Sequence, residues 1–116
     1  MFRTGLRVHY TRVLQTRRLH IEPSKSFIQT LISDPKSNLV FSKTYCPYAS
    51  QVKDLLNTLC INYETIELDK RDDGARIQEI LTELTGQRTV PNVFLKGKHI
   101  GGCDDTLANH KAGKLI

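Results

Sequence analysis

The stretch Asn38-Leu39-Val40-Phe41-Ser42 is a short apolar run bounded by turn formers, and Cys46-Pro47 opens a helical pattern just beyond it. A run this short reads as a buried strand, and Pro47 fits the first position of a helix, where no intrahelical partner awaits an N–H. The junction therefore sends the chain from a sheet straight into a helix. The remaining pattern fits around it. Ahead of the strand, Phe27, Ile28, Leu31 and Ile32 form one apolar stripe, Ser24 can cap that helix and Asp34-Pro35 stops it. Behind it, Val52, Leu55, Leu56, Leu59 and Cys60 continue the second helix. Tyr63, Thr65, Ile66 and Leu68 predict a second strand, and Asp69 to Gly74 a polar loop. A third helix spans Ala75 to about Leu84, with Gly86 placed to cap its end. Val93-Phe94-Leu95 and His99-Ile100 flank Lys96-Gly97-Lys98 as a tight hairpin, and Asp104 and Asp105 mark the start of a last helix.

This order opens with an alternating helix–strand unit and closes with an antiparallel pair. A right-handed crossover makes the first two strands parallel. The expected fold is α/β, with a four-stranded mixed sheet covered by helices on both faces. At 116 residues the chain holds one such core and no second.

Charge separates the chain into two parts. The net charge is +5, yet the first twenty residues carry Arg3, Arg7, Arg12, Arg17 and Arg18 and no acid. The remaining 12 basic residues balance 12 acidic ones, so the excess lies in the tail. The predicted domain, residues 24–116, thus lacks the basic face that a phosphate backbone requires, and no nucleic-acid partner is expected. Residues 1–20, with hydroxyls and apolar residues among the arginines, resemble a mitochondrial presequence; the alternative is a basic tail. No apolar run approaches the ~18 residues of a membrane span. Cys46, Cys60 and Cys103, an odd number with no Cys-x-x-Cys, argue against a disulfide scaffold and for a reactive thiol in a reducing compartment.

Cys46 is that thiol. At a helix N-cap it faces unpaired amide donors and the positive end of the helix dipole, a setting that favours a sulfur anion, and Lys43 adds a nearby charge. Only a thiolate attacks a disulfide. Cys60 extends an apolar stripe and reads as core. Cys103 reads as a buried filler, with an oxidisable second thiol as the alternative. The four histidines lack partners at metal-ligand spacing and read as surface residues.

Lys43-Thr44-Tyr45-Cys46-Pro47-Tyr48 resembles the active-site signature of the glutaredoxins, and Thr89-Val90-Pro91 and Gly101-Gly102-Cys103-Asp104-Asp105 match two further segments of that family in order. The likeness covers residues 24–115 and implies a thioredoxin-like fold and a glutathione-dependent thiol–disulfide oxidoreductase acting in cellular redox homeostasis. It further implies that Pro91 follows a cis bond and that the Val90 backbone pairs with the cysteinyl unit of glutathione. Lys43 and Gln78 would hold the glycine carboxylate, and Tyr48 would pack beside the sulfur. Backbone donors of Cys103 and Asp104 would take the γ-glutamyl carboxylate, and the carboxylates of Asp104 and Asp105 its ammonium. Thr89 and Gly102 complete these two segments.

The sequence departs from the two-cysteine form of the family in having Ala49 where a second cysteine is expected. That leaves a monothiol route, in which Cys46 reduces glutathionylated proteins and small mixed disulfides. It also departs from the Cys-Gly-Phe-Ser branch of the family, lacking its loop and Trp-Pro pair. The second reading is an iron–sulfur cluster carrier, a dimer bridged by a cluster that Cys46 and glutathione would ligate; otherwise a monomer is expected. A third reading is an inactive glutathione-binding module.

Overall fold

The computed structural model describes residues 20–115; the presequence reading falls on residues 1–20, of which 1–19 lie outside them. Among the described residues, four helices and four strands follow in the order α1 (Lys25–Ile32), β1 (Asn38–Ser42), α2 (Pro47–Thr58), β2 (Glu64–Glu67), α3 (Gly74–Thr85), β3 (Asn92–Leu95), β4 (Lys98–Gly101) and α4 (Cys103–Lys111). A 3-10 turn, Leu68–Lys70, links β2 to the approach of α3. It replaces the start of the expected polar loop and takes Leu68 out of the strand.

The strands lie in the order β2-β1-β3-β4. β1 runs parallel to β2, with Ser42 opposite Glu67, and antiparallel to β3. β3 and β4 form the hairpin expected from Lys96-Gly97. Side chains alternate across the sheet, so the two central strands, β1 and β3, feed a core on each face. On one face Leu39, Phe41, Ile66 and Phe94 pack with Ile28 and Ile32 of α1 and Ile77, Ile80 and Leu81 of α3. On the other, Val40, Val93 and Leu95 pack with Val52 and Leu56 of α2 and Cys103 of α4. Each fully buried Leu, Ile, Val or Phe contributes roughly 1.5–3 kcal/mol of transfer free energy.

Local signals set the element ends. The Phe27 N–H donates to the Ser24 hydroxyl at 3.3 Å, capping α1. Gly86 closes α3 at φ +80, a left-handed conformation open to glycine without a Cβ penalty. Ile21 joins the first core ahead of α1, and the Arg71 guanidinium donates to its carbonyl at 3.0 Å while pairing with Asp73. The Lys53 ammonium meets the Glu67 carboxylate at 2.7 Å, tying α2 to β2.

One expectation is overturned. Cys60 does not continue the core stripe: it is exposed and stands at φ +58. The helix ends at Thr58, with Leu59 as its cap, so the stripe stops at Leu56 and the chain reverses through Cys60. The apolar spacing ran on in sequence past the point where the helix had already ended.

Candidate active site

Cys46 is the N-cap of α2, with Pro47 as its first helical residue. The Cys46 N–H donates to the Lys43 carbonyl at 3.0 Å, closing a turn whose central residues are Thr44 and Tyr45. The Ser50 N–H donates back to the Cys46 carbonyl at 3.2 Å and starts the helix. The sulfur thus sits where β1 has ended and the first amides of α2 have no intrahelical acceptor. Cys46 is half-buried, and its Sγ lies 3.8 Å from the carbonyl oxygen of Val90.

Val90 and Pro91 are joined by a cis peptide bond, as the resemblance implied. The amide of Gln87 steadies this segment, donating from Nε2 to the carbonyls of Thr89 at 3.1 Å and Pro91 at 2.9 Å. Beyond it, Gly102 caps α4, and the Thr106 N–H donates to the Gly102 carbonyl at 3.0 Å. One oxygen of Asp105 accepts from the Gly102 N–H at 3.3 Å, while Asp104 stands exposed beside it.

Two recesses are lined by residues on either side of Cys46 in the chain, Tyr45 in one and Tyr48 in the other. A cleft of about 490 Å³ gathers Tyr48, Gln87, Thr89, Val90, Pro91, Gly102, Cys103, Asp104 and Asp105. A second hollow, about 840 Å³, holds Lys43, Tyr45, Asp69, Gln78 and Arg88 among its lining. Every glutathione-binding residue expected from the sequence therefore lines one of these recesses, and Cys46 touches the cleft through the Val90 carbonyl. The Gln78 amide is turned toward the loop before β3: its Nε2 donates to the Arg88 carbonyl, and its Oε1 is buried without a partner.

Cys103 is 7% exposed, as the buried-filler reading has it, with Sγ 3.5 Å from the Gln51 side-chain oxygen. Burial pushes its thiol up from the ordinary cysteine range, and the charges of Asp104 and Cys46 push it the same way. Among the described residues, no group of three or more His, Cys, Asp or Glu side chains gathers at a spacing that would hold a metal ion.

Sequence reasoning missed three residues of this region. Arg88 adds a second cation beside Lys43, and only its place one residue before Thr89 hinted at it. Gln87 braces the 89–91 segment. Asp69 had been placed in a loop, yet it accepts from the Thr44 N–H at 3.0 Å and from the Thr44 hydroxyl at 2.5 Å. Those two bonds hold its carboxyl below the usual carboxylate range.

The family profile described as Glutaredoxin matches residues 38–100, which include the junction, β2, β3, most of β4 and the cis proline. The chain belongs to the glutaredoxin family. Its members are glutathione-dependent oxidoreductases with a thioredoxin-like fold. Rice glutaredoxin-C4, chloroplastic, is 59% identical over 78 residues, covering 67% of this chain and 59% of the rice protein. The chain thus spans less than two thirds of that relative. The buckwheat glutaredoxin–glutathione complex is 44% identical with a TM-score of 0.72, covering 97% of this chain and 90% of that one. The holo form of glutaredoxin C1 from Populus tremula x tremuloides is 43% identical with a TM-score of 0.73, covering 78% and 81%. None of the described helices of this glutaredoxin-family chain is long and apolar enough to cross a membrane.

Proposed function

We propose that this glutaredoxin-family chain reduces glutathione mixed disulfides of proteins and small molecules by a one-cysteine route. The observation that carries the reading is the placement of Cys46. Its sulfur stands at the N-terminus of α2, 3.8 Å from the Val90 carbonyl that borders the cleft, while the position one helical turn on is Ala49, fully buried and without a thiol. The Cys46 thiolate attacks the glutathionyl sulfur of the mixed disulfide, and the protein thiolate leaves and takes a proton. Glutathione thiolate then attacks the Cys46–glutathione bond, releasing oxidised glutathione and restoring Cys46. Each step exchanges one S–S bond for another, so no further oxidant or reductant enters.

The surroundings supply binding rather than further chemistry. Lys43 and Arg88 place two cations and Gln78 an amide in one recess, suited to the glycine carboxylate. The Val90 backbone at the other side of the sulfur suits pairing with the cysteinyl unit. The start of α4, with free amide donors and the carboxylates of Asp104 and Asp105, suits the charged γ-glutamyl end. The buckwheat relative, solved as a glutathione complex, supports this ligand. The test is turnover of a small glutathione mixed disulfide, with glutathione and its NADPH-linked reductase. Activity absent in Cys46→Ser and present in the parent supports the assignment; equal activity in both overturns it.

The holo form of the poplar relative favours stating the second reading beside it. An iron–sulfur cluster takes four thiolate ligands. Among the described residues, Cys46 is the half-buried thiol beside the Val90 carbonyl, whereas Cys103 is buried. The donor set fits a cluster shared between two chains, with two glutathione thiolates as the other ligands; when bound it would supply electron-transfer chemistry. A colourless monomer after anaerobic purification from iron-replete cells removes this reading.

For location, the basic acid-free segment 1–20 carries the proposal of a mitochondrial presequence. The name of the rice relative raises the plastid as the competing address. Fusing that segment to a fluorescent reporter and imaging it distinguishes the two organelles.

A further inference from the structure

We propose that Asp69 is a positioning residue for Cys46 and Lys43, acting through Thr44. The proposal deepens the reading of Cys46 as the thiol that exchanges with glutathione mixed disulfides, and rests on it.

The geometry begins in the sheet. β1 and β2 are parallel with Ser42 opposite Glu67, and two residues further along each chain stand Thr44 and Asp69. The strand pairing has ended there, yet the alignment persists as a side-chain clamp. One Asp69 oxygen accepts from the Thr44 N–H at 3.0 Å and the other from the Thr44 hydroxyl at 2.5 Å. Thr44 is the first central residue of the turn that the Cys46 N–H closes on the Lys43 carbonyl. Fixing the backbone and side chain of one central residue fixes the turn. The turn in turn sets where Lys43 leaves the sheet and where Cys46 enters α2.

Asp69 is itself held in place. It is the middle residue of the 3-10 turn Leu68–Lys70, and Leu68 is buried in the first core. The start of α3 presses on this turn so closely that a Cβ on Gly74 would lie 1.9 Å from the Leu68 carbonyl oxygen. The turn that carries this exposed carboxylate is therefore pinned through Leu68. Asp69 also borders the recess that holds Lys43 and Arg88, where a free carboxylate would oppose an anionic ligand. Both of its oxygens are engaged by Thr44, which accounts for an acid at this position. Hydrogen bonds to a charged acceptor are the stronger kind, and here they bear on the one segment between the strand and the reactive sulfur.

Misplacing a reacting atom by an ångström costs up to about a hundredfold in rate, so a loosened turn has a measurable effect. The experiment uses the full chain and the variants Asp69→Ala, Asp69→Asn, Thr44→Val, the double variant Thr44→Val/Asp69→Ala, and Cys46→Ser. Two rate constants are measured for the sulfur: with a small glutathione mixed disulfide, and with iodoacetamide at high pH. Asp69→Ala should slow the first about tenfold and change the second less than twofold, because a small neutral reagent needs no alignment with the recesses. Asp69→Asn keeps an acceptor for the Thr44 N–H and a donor for its hydroxyl, and should restore most of the rate. Thr44→Val should lose a few-fold, and the double variant should be no slower than Asp69→Ala, because one path carries both effects.

An Asp69→Ala rate within twofold of the parent overturns the proposal, as does a double variant in which the two losses multiply. A loss equal for both reagents assigns Asp69 a role in general stability and overturns it too. Should Asp69→Ala not fold, Thr44→Val and Asp69→Asn decide: parental mixed-disulfide rates in Thr44→Val, or no recovery in a folded Asp69→Asn, count against it. Unchanged turnover in Cys46→Ser would instead remove the reading beneath it.

Discussion

Gly74 stands against the carbonyl oxygen of Leu68 at a separation that admits no side chain: a Cβ there would come within 1.9 Å of the oxygen. Both partners are backbone, one at the first turn of α3 and one in the 3-10 turn that carries Asp69. Neither can swing aside as a flexible side chain would.

Gly74→Ala is therefore expected to cost about 2 kcal/mol or more, in the range of overpacked cores. For a domain of this size that lowers the melting temperature by roughly 8 °C or more. Thermal unfolding followed by circular dichroism measures it. Turnover of a glutathione mixed disulfide should fall as well, because the displaced turn carries Asp69.

Cys60 gives an expectation of opposite sign. A non-glycine residue in the left-handed region carries a cost of roughly 1–2 kcal/mol. Cys60→Gly should recover part of this, raising the urea midpoint by the equivalent of about 0.5–1 kcal/mol, with turnover unchanged. A core cysteine would behave otherwise and lose stability on truncation.

Cys60 and Cys103 should separate under alkylation. In the native protein at neutral pH, Cys60 is exposed, whereas Cys103 is buried with its thiol pushed up by that burial. Mass spectrometry after brief treatment with iodoacetamide should find Cys60 modified and Cys103 intact, and Cys103 should label only once the chain is unfolded. Cys103→Ala should retain most of the turnover. Early labelling of Cys103 would contradict its placement between α4 and α2.

His99 makes stability depend on pH. Its ring stacks on Phe94 at 5.0 Å between centroids, and its Nε2 lies 2.8 Å from the side-chain oxygen of Asn92. Burial lowers its pKa from the ordinary value of 6.5, and Asp105 opposes that shift in part. Between the lowered folded value and 6.5, the unfolded chain holds a proton that the folded chain does not. Stability should therefore rise with pH through that window and level off above 6.5. The difference in urea midpoint between the parent and His99→Gln, followed from pH 5 to 8, isolates this contribution from that of the carboxylates (roughly the range in which histidine titrates).

Much of this was legible in the chain itself, for identifiable reasons. The strand–Cys46-Pro47 junction could be read because proline at a helix start and an apolar run before it are local signals. The hairpin at Lys96-Gly97 and the cap at Gly86 are local in the same way. Asp69 was not legible: its partner Thr44 is 25 residues away, and only the parallel register of β1 and β2 brings them together. Arg88 and Gln87 act through where a loop turns, which spacing does not encode. Cys60 misled because an apolar residue at helical spacing keeps the same pattern whether or not the helix has already ended.

The clasp of Arg71 on the Ile21 carbonyl sets how far the described domain tolerates trimming from its first residues. Ile21 is 4% exposed and belongs to the first core, whereas His20 before it is exposed. A protease cutting just before Ile21 would keep this core side chain and its carbonyl within the domain. A cut one bond later would remove a core side chain and the acceptor of a guanidinium, so the boundary for tolerable trimming falls between those two residues.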